Sequence, residues 1–266
     1  MIESAGDRVL RRRTFDAAAA RYDRARPGYP AAVIDDLGTL AGLGPGARVL
    51  ELGAGTGKAT VPLAARGYTV VAIELGSQLA AVARQNLAAF PRAEVVCAAF
   101  EDWPLPASPF DAVVAATAFA WIDPAVRVVR SAAALRGGGS LATIGTHHVA
   151  GGTAPFFVEV QSCYERWDPT TPPGLRLPRP AAVPQDSAEL DASGLFEPAR
   201  FRRYEWDVAY RTDEYVDLLQ TYSGHLAMPL AARDGLLGDI ARLIDRGYGG
   251  RIVKRYLTEL RIARRR

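Results

Sequence analysis

Cysteine, lysine, histidine and methionine are all scarce in this chain of 266 residues, which holds two cysteines, two methionines and three histidines. Two isolated thiols, Cys97 and Cys163, supply neither a disulfide framework nor a metal-binding set. A reducing, cytoplasmic setting is the simplest expectation, with no metal. No apolar run reaches membrane-spanning length. Arg12-Arg13-Thr14-Phe15 has the look of a twin-arginine export signal, but Asp16, Arg21, Asp23 and Arg24 break up the next residues, so it reads as a polar helix start. The net charge of +3 is small for this length, and neither nucleic acid nor membrane is expected as a partner. Lysine occurs only at Lys58 and Lys254, and this arginine bias, with abundant Ala, Gly and Pro, fits a GC-rich genome better than a phosphate-binding surface. Hydrophobic residues make up 49%, enough to fill an ordinary α/β core in one domain with a cap.

What is present is Val49-Leu50-Glu51-Leu52-Gly53-Ala54-Gly55-Thr56-Gly57: an apolar run, an acidic residue, then glycine at every second position. A helical pattern begins at Lys58. This is a buried strand, a tight turn and a helix start, with glycines where a ligand must approach main chain without a Cβ in the way. A ligand carboxylate is expected to meet free N–H groups and the helix dipole there. A P-loop would need glycine at Leu52 and a hydroxyl at Ala59, and fails twice. A dinucleotide fingerprint would need its third glycine at Lys58 or Thr60, and fails too.

The remaining form, Glu-x-Gly-x-Gly-x-Gly, resembles the first motif of class I S-adenosylmethionine (SAM) dependent methyltransferases. The resemblance implies that Glu51, Gly53, Ala54, Gly55 and Gly57 bind SAM, with S-adenosylhomocysteine (SAH) as product. Thr69 opens a second strand running to Ile73 and ending in Glu74, about twenty residues past the loop. An acidic residue there is the ribose-binding signature of nucleoside folds, and Leu75 would pack on the adenine. After a third strand, Ala93 to Cys97, the family usually has an acidic residue for the adenine amino group. Ala99 holds that position here, so the contact is expected from the Phe100 backbone, with Glu101 or Asp102 taking the amino group. Many small-molecule members also begin with a segment like Tyr22-Asp23-Arg24-Ala25-Arg26-Pro27-Gly28-Tyr29-Pro30. In them it covers the cofactor, and its first aromatic, Tyr22, meets the methionine end. The nearest relatives in pattern look like trans-aconitate methyltransferases.

Phe110 to Ala116 is a fourth strand, whose exit, Thr117 to Asp123, faces the cofactor at the carboxyl edge of the sheet. Thr117 and Phe119 are therefore expected to touch SAM, and Trp121 to wall the acceptor. This exit lacks the Asp/Asn-Pro-Pro-Tyr/Phe motif of enzymes that methylate amino groups of DNA bases. A helix from Asp123-Pro124 to Leu135 and a Gly137-Gly138-Gly139 turn lead to a fifth strand, Ser140 to Gly145. His147 and His148 come next; adjacent residues in extended chain point opposite ways. His147 is the preferred contact or proton acceptor, with Tyr22 beside the transferred methyl, and His148 is assigned to the substrate.

The fold expected is a doubly wound, mostly parallel, seven-stranded α/β sheet, Rossmann-like, with a helical cap. Residues 1–150 would form the N-terminal arm and SAM-binding core, 151–193 a cap insertion over the acceptor, and 194–266 the antiparallel edge strands with a helical lid in the same domain. Tyr222 and His225 on that lid are expected at the substrate. The aromatic cap, including Phe156, Tyr164, Trp167, Trp206 and Tyr210, suits a flat, partly apolar acceptor. Arg264-Arg265-Arg266 reads as a solvated tail. The function expected is methylation of a small molecule, an aromatic or heterocyclic natural-product intermediate, by a monomer or homodimer. A non-catalytic SAM-binding protein and a macromolecule methyltransferase are the alternatives.

Overall fold

The computed structural model describes Asp16 and residues 18–266. The twin-arginine stretch lies outside the described residues. Seven strands form one sheet in the order β3-β2-β1-β4-β5-β7-β6. They are β1 (Arg48–Leu52), β2 (Thr69–Glu74), β3 (Ala93–Cys97), β4 (Phe110–Ala116), β5 (Leu135–His148), β6 (Arg200–Arg211) and β7 (Arg251–Arg264). The first five run parallel. β7 inserts between β5 and β6, antiparallel to both.

The central strands are apolar along their whole length because both faces are covered. Val49, Leu50, Leu52, Val113 and Val114 are fully buried. On one face Val49, Val70 and Val114 pack on α2 to α4, the helices Ala31–Ala41, Thr60–Ala65 and Ser77–Asn86, through Val33, Leu37, Leu63 and Ala83, and α1 (Ala19–Ala25) lies against α4. On the other, Leu50, Leu52, Val113 and Leu141 meet Val128 and Ala132 of α5 (Arg127–Ala134). Alternation through the pleat sends successive side chains to these two layers.

The cap has its own core. It gathers α6 (Ala154–Glu159), α7 (Gln161–Trp167), α9 (Thr212–Leu219), α10 (Ser223–Ala227) and α11 (Leu230–Tyr248) beside the end of the sheet, whereas α8 (Ala188–Ser193) buries Leu190 in the layer of α5 and ties to it through Arg127 and Glu189. Phe156, Tyr215, Leu218, Leu236, Ile240 and Tyr256 form its buried cluster. The Trp167 indole lies where a Cβ at Gly235 would collide with its ring, and its Nε1 donates to Asp239 at 2.7 Å. The segment 168–184 is irregular apart from one short turn of helix at Pro180–Ala182. Among the described residues, no helix is long and apolar enough to cross a membrane.

Two expectations change. β5 begins at Leu135 and runs to His148, so the three glycines lie inside it. Pairing shifts register between Phe110 and Ala112, and Gly138 at φ 70° absorbs the irregularity. The long antiparallel partner β7 carries the pairing out to His148 opposite Tyr256. The C-terminal arginines do not form a free tail: Arg264 and Arg266 stay exposed, but all three side chains are tied to backbone carbonyls. Arg264 donates to the Gly138 carbonyl at 3.0 Å and Arg266 to the Phe196 carbonyl at 2.8 Å, while the Arg265 side chain reaches the Leu135 carbonyl.

Candidate active site

The carboxyl ends of β1, β2, β4 and β5 open into a cavity of about 340 Å³, within the range of small-molecule sites. The glycine loop forms one wall. Gly53, Gly55 and Gly57 all have positive φ, 68°, 58° and 89°. A Cβ on Gly53 would lie 2.6 Å from that of Ala118, so only glycine permits this close approach.

The loop's amides already have acceptors. Gly53 and Ala54 donate to the Ile73 carbonyl at 2.8 and 3.0 Å, Gly57 to Ala54 at 2.9 Å, and Gly55 to Glu74 Oε2 at 2.7 Å. The expected cradle of free N–H groups for a carboxylate is therefore not formed by these four residues. The loop's contribution is closeness of approach. Glu74 takes a second amide, Gly76, on Oε1 at 2.8 Å. These bonds fix the carboxylate at the strand end, and its two oxygens keep accepting capacity for ribose hydroxyls. Burial raises the Glu74 pKa, and the Gly76 and Gly55 amides oppose that rise.

Glu51 differs. It is 1% exposed, and its Oε2 has no hydrogen-bond partner among the described residues. Burial pushes its carboxyl up to about 8. An orphaned carboxyl on a cavity wall is a site made for a donor or cation that a ligand brings.

The arm closes the opposite side. Asp16 caps α4, accepting from the Gln78 and Leu79 amides at 2.7 and 3.0 Å. Tyr22, Arg26 and Tyr29 line the cavity. The Tyr29 hydroxyl meets Thr117 Oγ1 at 3.0 Å. Thr117 holds φ 54°, the positive-φ residue other than glycine among the described residues, at the exit of β4. Strain of this kind collects at functional sites.

Of the expected cofactor residues, Tyr22, Glu51, Gly53, Ala54, Gly55, Glu74, Leu75, Phe100, Glu101 and Thr117 line the cavity. Gly57 and Phe119 are absent from its wall. Gly57 turns back against Ala83, and Phe119 is buried in the core under α5, with the Arg127 guanidinium 5.0 Å from its ring. Ala118 and Ile122 take the place expected for Phe119.

At the far end, Trp121, Thr146, His148, Tyr222, Ser223 and Tyr256 line the wall. The two histidines separate by strand parity. Thr146 and His148 face the cavity; His147 shares the other face with Gly145 and does not line it. His148 sits 5.2 Å from the Tyr222 ring and 5.8 Å from Tyr256. Burial, then Lys254 and Arg26, lower its pKa to about 3, so the imidazole is neutral at pH 7. His225 is also off the wall. It hydrogen-bonds the Tyr164 hydroxyl at 3.1 Å inside the cap. Residues 151–193 do not line the cavity, and Phe156, Tyr164 and Trp167 pack within the cap core. Trp206 stacks on the back of Tyr256 at 5.1 Å. The roof over the acceptor end is the arm with Tyr222 and Ser223. Thr146 and Tyr256 were not legible as site residues; only the pairing of β5 with β7 reveals them.

A model described as a methyltransferase domain matches residues 49–139. Residues 49–139 thus match a methyltransferase domain, seated on a Rossmann-like α/β sheet. An uncharacterized methyltransferase of Mycobacterium tuberculosis is 40% identical over 131 residues, 49% of this chain and 51% of that protein. This chain thus spans about half the length of the first curated relatives it matches. A protein-L-isoaspartate O-methyltransferase of Methylorubrum populi is 41% identical over 87 residues, 32% of this chain and 41% of that one. Among solved structures, a phosphoethanolamine N-methyltransferase 2 of Haemonchus contortus, in complex with phosphomonomethylethanolamine and SAH, is 18% identical with TM-score 0.54. It covers 99% of this chain and 60% of its own. At that identity the likeness is one of fold. The trans-aconitate pattern is not singled out by these comparisons; the methyltransferase domain is.

The domain's residues fit SAM and SAH. The Gly53 approach, which a Cβ would fill, suits an adenosyl ligand, and Glu74 stands ready at the β2 end for its ribose. The orphaned Glu51 oxygen suits its ammonium.

Proposed function

We propose that this protein transfers the SAM methyl group to a small-molecule acceptor, an aromatic or heterocyclic natural-product intermediate. The observation that carries this reading is one continuous cavity. It runs continuously from the glycine loop to a wall of Trp121, His148, Tyr222 and Tyr256, under a roof made by the arm and lid. The aromatic wall favours a flat acceptor. A macromolecule would need an open groove where Tyr22, Arg26 and Tyr222 close the site.

When bound, SAM supplies a methyl already activated on a sulfonium: the acceptor's lone pair forms the new bond to carbon, and the carbon–sulfur pair stays on sulfur. The chain's task is alignment and exclusion of water. Tyr22 lies beside Gly55 and offers an aromatic face near the loop. Tyr29 and the strained Thr117 fix the floor of the arm through their shared hydrogen bond. Neutral His148 orients the acceptor by hydrogen bonding and is too weak a base to remove a proton of ordinary acidity. A nucleophile that reacts without losing a proton first, or that is already ionised, suits this wall. His147, on the opposite face, has no access to it.

The test incubates the protein with methyl-labelled SAM and a cell extract fractionated by size. Label in a low-mass fraction is expected. Label only in protein or nucleic acid, or none in any fraction, overturns the reading.

A further inference from the structure

The amides of Gly53, Ala54, Gly55 and Gly57 are bonded within the protein, and a charged partner for the amino-acid carboxylate of the cofactor stands on the arm. We propose that Arg26 binds this carboxylate and that Thr221 and Tyr222 of the lid hold Arg26 in the pose to do so. The inference rests on the proposed function and adds a residue to the same site.

Arg26 lines the cavity between Tyr22 and Tyr222, its guanidinium 5.3 Å from one ring and 4.1 Å from the other. Nε donates to Thr221 Oγ1 at 2.8 Å and Nη2 to the Thr221 carbonyl at 2.9 Å. Thr221 is fully buried, and its hydroxyl is itself fixed on the Leu218 carbonyl at 2.6 Å. Three features therefore lock the plane of the guanidinium, while Nη1 donates to none of the described residues. No carboxylate among the described residues forms an ion pair with Arg26. An arginine placed in a cavity wall, oriented on one edge and open on the other, is built to read a planar anion.

The other charges on the wall do not compete. Lys58 gives its ammonium to the Asp23 carbonyl at 2.7 Å and lies 3.9 Å from the Asp23 carboxylate. Glu74 is held by two backbone amides, and the Glu101 carboxylate accepts from the Asp123 amide at 3.2 Å. Tyr22, one helical turn before Arg26, lies 3.8 Å from where a Cβ on Gly55 would stand, so the arm brings the guanidinium beside the glycine loop. One residue then joins three parts: arm, lid and cofactor. Binding of the carboxylate stiffens the same side chain that ties α1 to the end of α9, so cofactor binding and closure of the roof reinforce each other.

The experiment compares SAH with its decarboxylated analogue, identical except for the carboxylate, by calorimetry on the full chain. The wild type is expected to prefer SAH. Arg26→Gln is expected to weaken SAH by about tenfold or more, the size of a charge-assisted hydrogen bond, and to leave the analogue within about twofold. Arg26→Lys should restore part of the preference. Thr221→Val should weaken SAH selectively by a smaller factor, since the charge stays but its orientation loosens. Equal weakening of both ligands by Arg26→Gln makes Arg26 a structural clasp and overturns the inference. Unchanged SAH affinity overturns it as well. A wild type that binds neither ligand overturns the proposed function along with it, whereas binding without preference overturns the inference alone.

Discussion

Replacing Glu51 by glutamine removes a titration and keeps the shape. In the folded protein this carboxyl is pushed up to about 8 by burial, against 4.5 as its ordinary value. Between those two pH values the native state holds a proton that the unfolded chain has released. Native stability therefore falls as pH rises through this window, by about 1.4 kcal/mol per pH unit. The loss is roughly 3 kcal/mol at pH 7 and approaches about 5 kcal/mol above pH 8, as orders of magnitude. The glutamine side chain has nothing to ionise. The stability of Glu51→Gln relative to wild type should therefore climb steadily from pH 5 to pH 8, as read from urea midpoints at fixed slope. Binding supplies a second readout. At pH 7 a carboxyl with this pKa is about nine-tenths protonated. An ammonium brought against it will ionise it, so SAH binding should release roughly one proton in wild type and none in the variant. Calorimetry in buffers of different ionisation enthalpy measures this directly. A stability difference that stays constant with pH, or equal proton release by both proteins, would refute the reasoning.

Three further outcomes are expected. Glu74→Ala strips the partner from the Gly55 and Gly76 amides and should weaken SAH at least several-fold; unchanged affinity in a titration would remove Glu74 from the ribose role. His148→Ala should lower turnover of whatever acceptor is found, whereas His147→Ala should leave it nearly intact, because strand parity keeps His147 off the cavity; the opposite ranking of the two rates would count against this placement. Gly235→Ala should cost about 1–3 kcal/mol in denaturant unfolding, since the new Cβ meets the rigid Trp167 ring, and a neutral result would show that the cap repacks freely.

The parallel half of the sheet was legible almost to the residue. β3 and β4 are short apolar runs bracketed by glycine, proline and charge, and their ends coincide with those expected. β5 was not, because its last residues are strand only by virtue of pairing with β7, more than a hundred positions away. That gap had a functional cost. Without the strand's true extent, the parity of His147 and His148 had no reference, and the histidine that lies off the cavity wall was preferred. Arg26 stood in plain view inside the Tyr22–Pro30 segment, but its importance depends on Thr221, which no local pattern connects to it. Cap aromatics such as Trp167 and Phe156 misled in the other direction: large rings at helical spacing were filling a core of their own.

Every role assigned to these residues requires that the cleft beside Gly53 and Gly55 hold an adenosyl ligand. A crystal structure of the full chain grown with saturating SAH measures this most directly. Density for the nucleoside along the glycine loop, with its ribose hydroxyls on Glu74 and its ammonium on Glu51, is the expected result. An empty cleft, or SAH bound elsewhere on the molecule, would contradict the account.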